Sequence, residues 1–331
     1  MLALVVSLVA LVAVSYLVEA LRPQPIAPTH PAWDSTIPVR YVSVDGFRLR
    51  YIVTGDGPPL VLLHTLRTQL DMFQRMIPAL AQHYRVYALD HPGHGFSDIP
   101  DVAYTPEFFA TTAAHTLDQL DLTHATVVGE SIGGTIALLL AARHHPRVDR
   151  VVAINPYDYG RGRGLRRSSR VANVLFGLND VPILGATLSR LRLYPIVAHV
   201  LQGGLYRPAA LPPALALEMY RVGNRRGHNR AFMSLVHEWA AWDAARAEYP
   251  TIDRPVSLIY GDHDWSRPDE RTTTARAIPG VTMQTIPDGG HFLSLDQPDA
   301  LVRAIQAFAV TKYSTPTATG KSNAAPNTGR L

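Results

Sequence analysis

Whether this chain can carry out nucleophilic chemistry turns first on one serine. The stretch Val127-Val128-Gly129-Glu130-Ser131-Ile132-Gly133-Gly134-Thr135 sets Ser131 in a G-x-S-x-G pattern. A mostly apolar run, Ala125 to Val128, precedes it, and a small-residue, Leu/Ala-rich run, Ile136 to Arg143, follows. That order predicts a strand, a sharp turn and a helix, which would push the Ser131 hydroxyl out of the top of a sheet. Gly129 and Gly133 remove side chains where the three segments crowd, and the helix N-terminus favours negative charge. A serine hydroxyl becomes a useful nucleophile only beside a base and near donors for a developing oxyanion. Of the fourteen histidines, His291 stands apart because Asp288-Gly289-Gly290-His291-Phe292 reads as a loop between the last strand and a helix. A carboxylate must orient such a base.

The elements that would position these groups follow from hydrophobic patterning. Arg40–Val44 and Phe47–Val53 alternate around Asp45-Gly46, a strong hairpin signal. Leu60–Leu63, Tyr84–Leu89, the strand before Ser131, Val151–Ile154, Val256–Tyr260 and Val281–Ile286 read as further strands, eight in all. Helices are expected over Met72–Gln82, Thr105–Leu120, after Ser131, and over Pro298–Phe308. Strands separated by helices imply an α/β fold, a doubly wound and mostly parallel sheet covered on both faces.

With these elements in order, the chain from about Val39 to Val310 resembles the α/β-hydrolase family. Asp90-x-x-Gly93-x-Gly95-x-Ser97 is similar to the family's segment after the fourth strand, and His64-Thr65 stands where the family usually has His-Gly. The resemblance implies that the N–H groups of Leu66 and Ile132 form the oxyanion hole. It also implies that Asp264, in G-x-x-D after the seventh strand, is the acid, with Asp158 after the sixth as the alternative. His291, before Asp296-Gln297-Pro298, resembles the family's catalytic histidine. Thr65 departs from the pattern, and a backbone there that only glycine tolerates would reshape the hole. His64 is expected to support the turn. The Arg-containing, helix-like stretch from Tyr157 to Tyr249 resembles the family's helical cap inserted after strand 6.

The resemblance thus implies a serine hydrolase cleaving carboxylic esters of apolar or lipid-like acyl groups. A thioesterase, an amidase, a carbon–carbon bond hydrolase or a non-catalytic ligand-binding relative are the alternatives. Serine at the elbow argues against the family's dehalogenases and epoxide hydrolases, which use Asp there.

Composition bounds the rest. The chain has 331 residues, 47% hydrophobic, 18% charged, with net charge +4 and no cysteine. That suits one sizeable catalytic domain with an insertion and excludes disulfides and a Cys nucleophile. Nothing resembles a nucleic-acid surface, no His/Asp/Glu spacing argues for a metal, and no cofactor is expected.

Residues 2–18 carry no charge, and a helix of that length about matches a ~30 Å hydrocarbon core. The expectation is therefore an N-terminal transmembrane anchor over 1–21, with a cleaved signal peptide as the competitor, which would make the protein secreted. Arg22 and Arg40 on its C-terminal side favour a cytoplasmic catalytic domain. The expected organisation continues with a Pro-rich linker over 22–38 and a hydrolase core over 39–156 and 250–310. A cap over 157–249 and a disordered tail over 311–331 complete it. The cluster Arg161, Arg163, Arg166, Arg167 and Arg170 is either a solvated face or a surface for anionic lipid.

Overall fold

The computed structural model describes residues 1–179, 181 and 183–310. The expected tail, 311–331, lies outside the described residues. Eight strands are present: β1 (Val39–Val44), β2 (Phe47–Thr54), β3 (Pro59–Leu63), β4 (Arg85–Leu89), β5 (Ala125–Glu130), β6 (Val148–Ile154), β7 (Val256–Gly261) and β8 (Thr282–Ile286). They form one sheet in the order β1-β2-β4-β3-β5-β6-β7-β8. The pairs β1–β2 and β2–β4 are antiparallel, and the other neighbours run parallel. The first hairpin turns at Asp45 (φ 51°) and Gly46 (φ 86°), the left-handed pair that a two-residue turn needs to match strand twist. Every residue of β5 and β7 is buried, which is why these strands read as apolar runs without alternation.

One expected helix is broken. Met72–Gln82 is instead a 3-10 turn, Leu70–Phe73, followed by one helical turn, Ile77–Leu80. Pro78 has no N–H for the carbonyl of Gln74, and its ring crowds that turn, so the proline can only sit near a helix start. By contrast, Thr105 caps the helix Pro106–Gln119 with its hydroxyl oxygen, which accepts from the Phe108 N–H at 3.1 Å.

The loop after β4 is organised by charge. Arg50, buried on β2, donates to Asp71 at 2.9 Å and to Asp90 at 3.2 Å. Asp90 also accepts from the N–H groups of Leu70 and Phe96. A Cβ on Gly95 would fall 1.9 Å from the Asp90 carboxylate, so the Asp90-x-x-Gly93-x-Gly95-x-Ser97 segment is a folded-back loop around one buried carboxylate.

Between β6 and β7 the described residues form helices and turns only, the helical cap expected there. The N-terminal helix, Leu2–Ala20, corrects the membrane expectation. Among the described residues no helix is long and apolar enough to cross a membrane. Instead its C-terminal half packs on the cap. Glu19 pairs with Arg192 at 2.8 Å, the Arg190 guanidinium lies 3.8 Å from the Tyr16 ring centre, and Ser15 is fully buried. The single-pass anchor and the sidedness drawn from Arg22 and Arg40 therefore fall. Arg22 in fact donates to the Arg190 carbonyl.

The segment that follows packs as well, with Ile37 buried and the Trp33 indole donating to Asp71 at 2.8 Å. In the arginine cluster, Arg167 pairs with Glu270 and donates to the Trp265 carbonyl, and Arg166 donates to Asn173.

Candidate active site

Ser131 leaves β5 and opens the helix Ile132–Ala142 with φ 59° and ψ −118°. A non-glycine residue held there costs on the order of 1–3 kcal/mol, and the surroundings must enforce it. They do so by close packing. A Cβ on Gly129 would stand 2.0 Å from the Gly133 carbonyl oxygen, and one on Gly133 would stand 2.2 Å from that of Leu63. Only glycine at both positions lets strand, turn and helix approach this closely.

The turn aims the Ser131 hydroxyl at His291, whose Nε2 lies 2.8 Å away. On the ring's other side, Nδ1 is 2.5 Å from Asp264 Oδ1. All three side chains are closed off from solvent. Burial works to raise the Asp264 pKa. The facing His291 and the hydrogen bonds from His291 and Ser266 outweigh it and hold the carboxyl below its ordinary value. Asp264 is thus an anion against Nδ1, which fixes the tautomer with Nε2 free to accept from a hydroxyl.

The other aspartates go elsewhere. Asp158 accepts from Thr274 at 3.0 Å, and burial pushes its carboxyl up to about 7 despite Arg246. Asp262 accepts from the Gly289 N–H.

His64 is a buried support for its turn. Its Nε2 accepts from the His91 N–H at 3.0 Å, and Nδ1 lies 2.6 Å from the Thr65 carbonyl. Burial, then the neighbouring His91 and His94, holds it neutral, well below the usual histidine range. Thr65 is not among the residues with positive φ. The left-handed residue of this loop is Arg67, at φ 55°, so threonine meets no glycine-only backbone here. Ile132 is the first helical residue and has no intrahelical acceptor for its N–H. The Leu66 N–H donates no hydrogen bond among the described residues.

Several supporting residues escaped sequence reasoning. Trp265 stacks on His291 with ring centres 3.8 Å apart and planes 11° apart. Ser266 donates its N–H and hydroxyl to Asp264 Oδ2; an H-bonding residue two positions after the acid is a signal that could have found it. Asn155 Nδ2 donates to the carbonyls of Gly290 and His291, and its Oδ1 accepts from Gly261. It thereby ties the histidine loop to β6 and β7, and no local pattern marks it. Beside the site lies a cavity of about 270 Å³ whose wall includes Leu66, Leu165, Phe292 and cap residues such as Phe176, Val197 and Phe232.

Comparison with known proteins agrees with this architecture. A family model described as alpha/beta hydrolase fold matches residues 58–298. A haloalkane dehalogenase from Psychrobacter cryohalolentis is 29% identical over 285 residues, 79% of this chain and 87% of its own. The crystal structure of an enol-lactonase from Burkholderia xenovorans LB400 superposes with a TM-score of 0.66 at 27% identity, covering 82% of this chain and all of that one. That of Cfl2 from Burkholderia cenocepacia gives 0.73 at 25% identity, covering 86% and 99%. With the family model spanning most of the sheet and the cap, the chain belongs to the α/β-hydrolase fold family.

Proposed function

We propose that this protein is a serine hydrolase that cleaves carboxylic esters through an acyl-enzyme on Ser131. The observation that carries the reading is the continuous hydrogen-bonded chain Ser131–His291–Asp264 at a strained turn. In the proposed mechanism His291 Nε2 takes the Ser131 proton as Oγ attacks the ester carbonyl. Asp264 stabilises the resulting imidazolium, and the Trp265 ring stacked on it adds a cation–π contribution. The N–H groups of Leu66 and Ile132 receive the oxyanion. His291 then protonates the leaving alcohol, and water, activated by the same imidazole, clears the acyl group.

The cap, taken as 157–249, roofs the pocket, and the largely apolar cavity beside Leu66 and Phe292 suits an apolar acyl group. The enol-lactonase is named for a lactone, a cyclic ester, which supports the ester class. The dehalogenase relative is a weaker guide, because the family's dehalogenases use Asp where this chain has Ser131.

The test is covalent labelling with a fluorophosphonate probe together with hydrolysis of short p-nitrophenyl esters. Wild-type protein is labelled and turns over; Ser131→Ala folds, is not labelled and loses nearly all turnover. Hydrolysis by Ser131→Ala at the wild-type rate would falsify the assignment. An unlabelled wild-type protein would make the chain a non-catalytic ligand binder.

A further inference from the structure

The buried arginines find oxygen partners: Arg50 meets Asp71 and Asp90, Arg192 meets Glu19, and Arg225 donates to the Ser97 carbonyl. Arg67 meets no carboxylate among the described residues. It follows Leu66 directly, in the left-handed conformation, and its guanidinium lies over the Phe232 ring at 5.0 Å. Its Nη2 is shut off from solvent with no hydrogen-bond partner among the described residues. The side chain lines the cavity beside the candidate site, whose wall is otherwise mostly Leu, Val and Phe.

Arg192 lines the same cavity. Glu19 and the Ser189 carbonyl hold its Nη1, and its Nη2 also lacks a partner among the described residues. Burial first, and then the charge of Arg192, lowers the Arg67 pKa to about 9; Arg22 acts the same way, while Tyr220 and Glu19 oppose it. The group therefore still carries its charge at neutral pH.

An apolar cavity that encloses an unpaired guanidinium is expensive, and one aromatic face compensates only partly. An anion inside the cavity would satisfy the free N–H groups and remove the cost. The location narrows which anion. Adjacent Cα atoms are about 3.8 Å apart, so Arg67 sets a carboxylate-binding group one residue from the Leu66 N–H, where the two ends of one acyl chain can reach both.

We propose that the cavity receives substrates whose apolar acyl chain ends in a carboxylate, the half-esters of dicarboxylic acids, and that Arg67 is the residue that selects them. This rests on the Ser131 reading for the chemistry but not for the binding, and the two are separable.

The binding arm uses full-length Ser131→Ala protein and calorimetric titration with octanoate and octan-1-ol. Octanoate binds tighter by roughly tenfold to a hundredfold, the span expected of charge-assisted hydrogen bonds. Arg67→Met, which keeps the packing on Phe232, abolishes that preference, and Arg67→Lys retains part of it. The kinetic arm compares p-nitrophenyl octanoate with mono-p-nitrophenyl suberate in protein with Ser131 intact. The half-ester is favoured in kcat/KM, and Arg67→Met lowers kcat/KM for the half-ester alone.

If neither ester is turned over while octanoate binding still depends on Arg67, the serine mechanism fails and the anion site stands. Equal binding of acid and alcohol, or no octanoate binding, overturns the proposal. So does a preference that survives Arg67→Met, or an equal loss on both esters that Arg67→Lys does not rescue.

Discussion

Glu130 offers a test of how the neighbourhood of the proposed nucleophile is held. It ends β5 beside Ser131, is fully buried, and accepts from the Ser294 N–H at 3.0 Å and from its hydroxyl at 2.6 Å. Ser294 lies three residues after His291, so this contact ties the serine turn to the histidine loop. Burial pushes the Glu130 carboxyl up from an ordinary 4.5 to about 7, although the Ser294 hydrogen bonds work the other way. Between these two values the folded chain keeps a proton that the unfolded chain has released. Stability therefore falls as pH rises through that window, and the contribution is fully present only below about 4.5. At 1.36 kcal/mol per pH unit the loss is about 3 kcal/mol, most of it between pH 5 and 8.

Glu130→Gln imitates the neutral carboxyl. Its Oε1 can accept from the Ser294 N–H, and its Nε2 can donate to the hydroxyl oxygen. The thermal midpoint measured at pH 5 and at pH 8 reads the effect, since about 3 kcal/mol corresponds to roughly 5 °C or more for a domain of this size. The decline from pH 5 to pH 8 should be shallower in the variant by that amount. Asp158, also raised to about 7, keeps its own contribution in both proteins and cancels in the comparison. A decline of the same size in both proteins would refute the reasoning, because the proton would not reside on Glu130.

Other expectations follow from contacts around the site. Asp264→Asn should preserve the packing but favour the wrong imidazole tautomer, lowering ester turnover by about four orders of magnitude as in the serine proteases. Asp158→Asn should change turnover little, and steady-state kinetics on the two variants decides which aspartate is the acid. Arg50→Met should destabilise the fold by roughly 3–5 kcal/mol, because it strands the Asp71 and Asp90 carboxylates in the interior. Urea denaturation measures that loss, and a variant as stable as wild type would show that the pair contributes nothing.

What was legible beforehand and what was not divides along the range of the interactions involved. The hairpin at Asp45-Gly46, the G-x-S-x-G turn and the apolar strands each depend on residues a few positions apart, and all appear in the fold. Pro78 is a local signal that the expected helix over Met72–Gln82 overlooked, since a missing N–H disqualifies a residue from a helix interior wherever it occurs. The N-terminal helix shows the limit. Its apolar length is a local property, but its association with the cap comes from Glu19, Tyr16 and Ser15 meeting Arg192 and Arg190 across more than 170 positions.

The candidate site divides in the same way. Ser131 and His291 sit in turns with their own sequence signatures. Asn155, by contrast, reaches 106 positions to Gly261 and 136 to His291, and nothing in its neighbours marks it. Arg67 is the furthest case. Its residue type is visible in the chain, but its meaning depends on no carboxylate among the described residues of the cap arriving beside it, and that becomes visible only once the cap is packed. A local motif can therefore mark the proposed nucleophile, while the surroundings that give a residue such as Arg67 its proposed role come from distant segments and must be read from the fold.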